Sequence, residues 1–310
     1  MAGPENILTD QTPEQSSDRA LKSAMLVALA AFFWGLSGGI GGILIAEGWG
    51  AYVLSFYRGI IGLLFVLVWL ILRPGNSGLA NPRLWFWATV AGLGVAGNFS
   101  FYFLSISEGS VAVAATLMYC APVFVFLVSF AIGLEQPTPL KCVAIVIVIV
   151  GIALLTGIYD VGGNEVTWVG VVSGLLSGLC YAVFIFGFKF AARNGSPQAA
   201  LVIAFSVLGI VLIWPASVVQ VVAVLDTPEW PMFMALGVLG GGMSFIAYIV
   251  GLKHTVPTVA SIVAMVEPVT AALFGILLLN ESLGGVQFLG MGLILVTVTA
   301  LSFYSSKPSH

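Results

Sequence analysis

Two full charges sit inside long apolar runs of this chain, Arg58 in SFYRGIIG and Glu267 in VAMVEPVTAALF. A charge at the centre of a membrane helix is unfavourable by about 2.5–3.5 kcal/mol on insertion scales, so each must face protein or water. Glu267 is suited to binding an ammonium group or carrying a proton. The competing use is a structural carboxylate, hydrogen-bonded to a neighbouring helix or paired with Arg58. The residues three and four positions away are Val263, Ala264, Thr270 and Ala271, which suit close helix contact or a cavity wall. Pro268 follows directly. It has no N–H and its ring meets the carbonyl of Ala264, so the helix is expected to kink or loosen there, as it is at Pro122.

Polar and aromatic residues recur elsewhere at helical spacing. Gly94, Asn98, Tyr102 and Ser105 form one stripe, and Gly240, Ser244, Tyr248 and Gly251 a second. Ser173, Ser177, Tyr181 and Phe184 form a third, and Trp34, Ser37 and Gly41 a fourth, while Tyr119 stands near the middle of its own run. The candidate substrate-binding residues are Trp34, Ser37, Asn98, Tyr102, Tyr119, Ser177, Tyr181, Ser244, Tyr248 and Glu267. Serines and glycines equally serve helix contact, and Tyr102 and Tyr248, near the ends of their runs, equally serve as interface anchors. In WGLSGGIGG the glycines make two small-xxx-small pairs that permit close helix approach. They also soften the helix, so Gly38 and Gly39 join Pro122 and Pro268 as candidate gating or breaking positions.

No catalytic set accompanies them. The only histidines are His254, in a short connection, and His310, at the C-terminus. An intramembrane enzyme needs a group such as a serine with a histidine or paired aspartates, and no apolar run holds His or Asp. Cys120, Cys142 and Cys180 lie in or beside apolar runs, where thiols behave as small hydrophobes. Neither a metal nor a cofactor is expected, and a net charge of −3 points to no nucleic-acid partner.

These residues need elements to hold them. The 310 residues are 60% hydrophobic and only 7% charged, with a mean hydropathy of +1.11; a soluble chain carries about a quarter charged residues. Runs of about twenty apolar residues recur, the length that crosses a bilayer as a helix. The chain therefore reads as an all-α membrane protein with ten transmembrane helices at 24–46, 50–72, 84–105, 110–131, 139–157, 167–191, 199–220, 231–252, 257–279 and 284–305. Residues 1–23, polar and acidic, are expected as a flexible cytoplasmic tail, and 306–310 as a second one.

The loop charges orient this arrangement. Arg19, Lys22, Arg73, Arg83, Lys141, Lys189, Arg193, Lys253 and Lys307 all fall on one side. The other side holds Glu47, Glu108, Asp160, Glu165, Asp226, Glu229 and Glu281, with no Lys or Arg. Positive residues stay in the cytoplasm, which places both termini inside.

The chain also repeats itself. A shift of 146 residues lays Gly94, Phe99, Tyr102, Val113, Ala114, Pro122 and Glu135 on Gly240, Phe245, Tyr248, Val259, Ala260, Pro268 and Glu281. Two five-helix halves follow, 24–157 and 167–305, joined by an external linker at 158–166. Five is odd, so the halves enter the membrane from opposite sides. Inverted repeats are the architecture of many secondary transporters, with the substrate site near the midplane between halves and often at broken helices. VAIVIVIVGIALL and LGMGLILVTVTALS, nearly devoid of hydrogen-bonding side chains, are expected to lie outside the core as lipid-facing or dimer-forming helices.

With Trp34-Gly35, Arg58, the pairs Pro122/Glu135 and Pro268/Glu281, and two five-helix halves, the chain resembles the drug/metabolite transporter superfamily, EamA type. EPVTAALFGILLLNESLGGVQFLGMGLIL resembles the end of that family's second repeat, with Gln287 and Gly290 in the expected places, and APVFVFLVSFAIGLEQPTP resembles the first. The resemblance covers about 24–305 and is greatest to bacterial members of the YddG type, which export aromatic and other amino acids. It implies a basket of helices 1–4 and 6–9 around a central cavity. It also implies an inner-membrane exporter of amino acids, aromatic and apolar ones favoured, and of related small metabolites, working by alternating access. Export of another small metabolite or drug, or passive facilitation, stays open as the alternative. The partners expected are a small-molecule substrate and the lipid bilayer, with a monomer and a homodimer both compatible.

Overall fold

A computed structural model of the chain describes residues 13–75, 77–108, 111–160, 167–278 and 284–305. Glu165, Glu281, most of the linker and the C-terminal tail lie outside the described residues. All regular structure among those described is helical. Helix α1 runs from Pro13 to Ala46, so residues 13–23, expected as a flexible tail, instead continue the first membrane helix. Ser23 and Ala24 are buried, and the Ser23 carbonyl leaves no room for a side chain at Gly251.

The following helices begin on similar local signals. α2 is Ala51–Leu72. α3 (Pro82–Ser107) starts on the Asn81 side chain, which accepts from Arg83 N, with Pro82 in the first turn. The fourth span of this half is broken into α4 (Val111–Met118) and α5 (Ala121–Ala131), with a turn at Tyr119–Cys120 between them. α6 (Pro139–Thr156) starts on Thr138 and Pro139 and stops at Gly157, whose φ of 72° is left-handed. α7 (Trp168–Asn194) is capped by Thr167, and α8 (Pro197–Leu212) by Ser196. A side-chain oxygen accepts a free N–H in each case, and proline in the first turn has no N–H to leave unpaired.

α8 stops short of the 199–220 run. Pro215 cannot donate to the Val211 carbonyl, and Ser217 caps a separate helix α9, Val218–Ala223. α10 (Trp230–Gly237) passes through a π-helical stretch, Val238–Met243, into α11 (Ser244–Leu252). α12 (Pro257–Val263) and α13 (Val266–Leu278) flank a second turn, at Ala264–Met265. α14 is Gly285–Ser305. With α4–α5, α10–α11 and α12–α13 each taken as one stretch, eight described helices are long and apolar enough to cross a membrane; Pro197–Leu212 and Gly285–Leu301 are apolar but shorter.

Packing follows the internal repeat. α1 packs on α11, α12 and α13, and α7 packs on α3, α4 and α5. The 146-residue shift converts one set into the other, so the first helix of each half is clasped by the other half. α6 and α14 lie against each other, with the backbones of Gly151 and Gly290 in contact. Val146, Val150, Leu289 and Val296 on them face outward.

The loops pair across the halves in the same reciprocal way. At the end bearing the acidic loops, Gly50 N donates to Gln220 Oε1 at 2.8 Å. At the end bearing the basic loops, Ser196 N donates to Ser77 O at 2.9 Å.

Candidate functional site

Between the halves lies a cavity of about 490 Å³. Of the sequence candidates, Trp34, Ser37, Gly38, Asn98, Tyr102, Tyr119, Tyr181 and Glu267 line it. They reach it from α1, α3, the turn between α4 and α5, α7 and α13. Arg58 of α2 joins them, as do Phe99, Phe103, Phe184 and Phe245.

The remaining candidates lie elsewhere. Ser177 is wholly buried and locks α7 to α3: its hydroxyl donates to Asn98 O at 2.9 Å, and Asn98 Nδ2 donates back to Ser177 Oγ at 3.0 Å. Ser244 Oγ is spent on Gly240 O at 2.8 Å within its own helix. Tyr248 is fully buried with its ring 5.0 Å from that of Trp34, so it is no interface anchor. Gly39 is covered by the Phe274 ring. Pro122 and Pro268 each stand just past a helix break, two or three residues into α5 and α13.

The glycine run of α1 divides its work between two faces. A methyl group at Gly35 would stand 2.5 Å from Thr270 Cβ and 2.6 Å from Glu267 O, so Gly35 lets α13 approach. Gly39, one turn on, does the same for Phe274. A methyl group at Gly38 or Gly42 would meet nothing within 4 Å among the described residues, and both open onto the cavity. α1 itself runs unbroken through all of them.

The cavity is asymmetric along the helices. Towards the acidic loops its wall continues through Gly42, Ile45, Leu54, Phe103, Ile106 and Leu236, all near the ends of helices that lead to Glu47, Glu108 or Glu229. Towards the basic loops it stops at aromatic rings. Trp34 meets Phe245 at 5.1 Å and Phe184 at 6.4 Å between centroids, with Phe188 and Phe205 behind them. Such edge-on contacts seal a cluster more tightly than area alone implies. Trp34 Nε1, Tyr181 Oη and Tyr248 Oη are buried there without a hydrogen-bond partner among the described residues.

Beyond that plug the basic end is tied down. Glu135 is 7% exposed; its Oε1 accepts from Thr258 N at 3.1 Å, and its Oε2 accepts from Lys141 Nζ at 2.6 Å. A carboxylate at the first N–H groups of α12 satisfies donors the helix cannot. Lys189 Nζ donates to Leu252 O at 2.7 Å, Thr255 O at 2.6 Å and Lys253 O at 3.2 Å, closing the C-terminal end of α11.

The charges at mid-depth are Arg58 and Glu267. Arg58 Nε donates to Gly240 O at 3.0 Å, and its guanidinium lies 5.2 Å from the centre of the Phe99 ring. Glu267 lies within electrostatic reach of Arg58 and of the Tyr119, Tyr102 and Tyr181 hydroxyls. The two charges form no contact ion pair; among the described residues Lys141–Glu135 is the one found. The sequence offers Arg58 only as a partner for Glu267, and the 146-residue shift lays it on Ala204, so the repeat adds nothing to its role. The π-helical stretch also went unread, although its signal, Gly240-Gly241-Gly242, was present. Gly240 abuts Ser37 Oγ and Arg58 Nε, and Gly241 abuts the Arg58 carbonyl, so no side chain fits at either.

Comparison with known proteins then decides the family. The EamA-like transporter family matches residues 21–157 and 168–303, once in each half. The chain belongs to that family. A transporter of Archaeoglobus fulgidus is 30% identical over 198 residues, covering 64% of this chain and 69% of its own. The threonine/homoserine exporter RhtA of Salmonella typhimurium is 25% identical over 204 residues, covering 64% and 65%. A solved crystal structure superposes with a TM-score of 0.71 at 17% identity, covering 89% of this chain and 95% of that one; that likeness is one of fold. EamA-like proteins are transporters, and the cavity between two matched repeats is where this one has room for cargo.

Proposed function

We propose that this chain exports amino acids, with aromatic and apolar side chains favoured, across the bacterial cytoplasmic membrane by alternating access of two inverted five-helix halves. In this reading ten helices cross, both termini are cytoplasmic, and the basic end faces the cytoplasm. The observation that carries it is the cavity: it lies between the matched repeats, holds one acid and one base at mid-depth, is walled by aromatic rings, and reaches towards one face only. A pocket that meets one side at a time is what alternating access requires. RhtA is a threonine/homoserine exporter, which supports amino acids as the cargo class. Phe99, Phe103, Phe184, Tyr119 and Tyr181 favour larger apolar side chains than those.

The test is uptake of labelled phenylalanine into proteoliposomes, with unlabelled aromatic, aliphatic and hydroxyl amino acids as competitors. Saturable uptake with counterflow, blocked by aromatic competitors, is the expected result. Linear, non-saturable flux would make the protein a passive pore. No uptake by protein of verified fold would remove amino acids as the cargo.

A further inference from the structure

We propose that Arg58 and Glu267 form a two-ended receptor for a zwitterion, in which the guanidinium takes a carboxylate and the Glu267 carboxylate takes an ammonium group. This deepens the amino-acid reading and rests on it. Both side chains line the same cavity and are not in contact with each other. Arg58 is bonded to protein through Nε alone among the described residues, which leaves its two terminal nitrogens for the cavity. A planar pair of N–H donors is the geometry that grips a carboxylate with two parallel bonds.

The surroundings keep the two charges apart. The Gly240 carbonyl holds Nε from the α10–α11 wall, and the Phe99 ring covers the guanidinium. Gly240 and Gly241 bring that wall so close to Arg58 that a single methyl group would collide. Glu267 is set on a different helix, α13, whose backbone is pinned to α1 at Gly35. A charge left unpaired at membrane depth is costly, and a zwitterion relieves both sites at once. A simple amine would leave Arg58 unpaired, and a simple acid would leave Glu267 unpaired. Selectivity then arises from the group left without a partner as much as from the bonds formed.

The experiment is a thermal-stabilisation titration of the full-length protein with phenylalanine, 2-phenylethylamine, 3-phenylpropionate and carnitine, a zwitterion that is not an α-amino acid. Wild type should prefer phenylalanine over either singly charged analogue at least tenfold. Arg58→Gln should erase the preference over the amine and keep that over the acid; Glu267→Gln should do the converse. Arg58→Lys and Glu267→Asp, which keep the charges, should retain part of each preference, separating recognition from misfolding. Equal weakening of all ligands by both Gln variants overturns the proposal, as does an unchanged preference. If phenylalanine is still taken up by proteoliposomes while both preferences survive the substitutions, the charge pair falls and the export reading stands. If carnitine alone binds, and loses affinity in both Gln variants, the charge pair stands and amino acids fall. Stabilisation by no zwitterion overturns both.

Discussion

α5 and α12 pack together towards the basic loops, whereas α4 and α13, their counterparts under the 146-residue shift, do not pack along one another. Tyr119 at the end of α4 and Glu267 and Ala271 of α13 line the cavity instead. Each pair consists of one segment before a proline break and one after the other break. Similar elements thus occupy two arrangements in one molecule, so neither arrangement is dictated by local sequence. What separates them is a small set of contacts. Glu135 holds the backbone of Thr258 in the closed pair, while α13 in the open pair is held back on α1 through Gly35 and Gly39.

The largest expected effect comes from a group that works within one half. Lys189 and the three carbonyls it serves all belong to the second half, so it should support the fold in either arrangement. Lys189→Met should cost about 3 kcal/mol, because buried carbonyls lose a charged donor, seen as a fall in Tm in detergent. The closed pair should still be closed. A lower cost, about 2 kcal/mol, is expected for Gly35→Ala, which forces α13 off α1. Gly38→Ala, three residues on, should leave Tm unchanged and weaken binding of the bulkiest side chains only. That contrast sharpens the division between the packing and cavity faces of α1.

Glu135→Gln should break the comparison most directly at moderate cost. It keeps the shape and loses the charge-assisted bonds to Thr258 N and Lys141, which favours opening of α5 from α12 by about tenfold, or ~1.4 kcal/mol. Maleimide labelling of a cysteine at the contact would read it.

The smallest effect is one of pH. Partial desolvation, with Lys253, Lys189 and Arg19 nearby, holds His254 below the ordinary histidine value of 6.5. The unfolded chain therefore takes up its proton first as pH falls, and the fold loses stability below about pH 6.5. His254 is exposed, so screening keeps this small. His254→Gln should remove about 1 °C or less of the acid-induced fall in Tm.

Much of the architecture was legible because membrane helices announce themselves in apolar length and the repeat in Pro122/Pro268 and its companions. The elements that misled did so for local reasons. Residues 13–23 are polar, and polarity does not prevent the first helix from extending beyond the lipid-length run. The 199–220 run looks continuous in hydropathy, and only Pro215 reveals its end. For the cavity, depth and helical spacing picked out Trp34, Asn98, Tyr119, Tyr181 and Glu267. They did not distinguish Ser177 and Ser244, whose hydroxyls are consumed by a neighbouring helix and by their own. A serine stripe carries no mark of which partner will claim it. Arg58 conspicuously lacks a repeat mate, and its setting depends on a π-helical stretch from the other half, a long-range feature that periodicity cannot show.

Under the proposed alternating access, the α5–α12 contact that Glu135 holds is the one that must open during transport. The most direct measurement places a cysteine at Thr258 in a background where Cys120, Cys142 and Cys180 are replaced. The backbone N–H that Glu135 holds is retained. Labelling by a maleimide would be followed in proteoliposomes with and without phenylalanine exchange. Negligible labelling at rest, a rise during exchange, and constitutive labelling once Glu135→Gln is added are the predicted results. Exchange that proceeds while Thr258→Cys stays unlabelled, or labelling that is equal at rest and during exchange, would contradict the account.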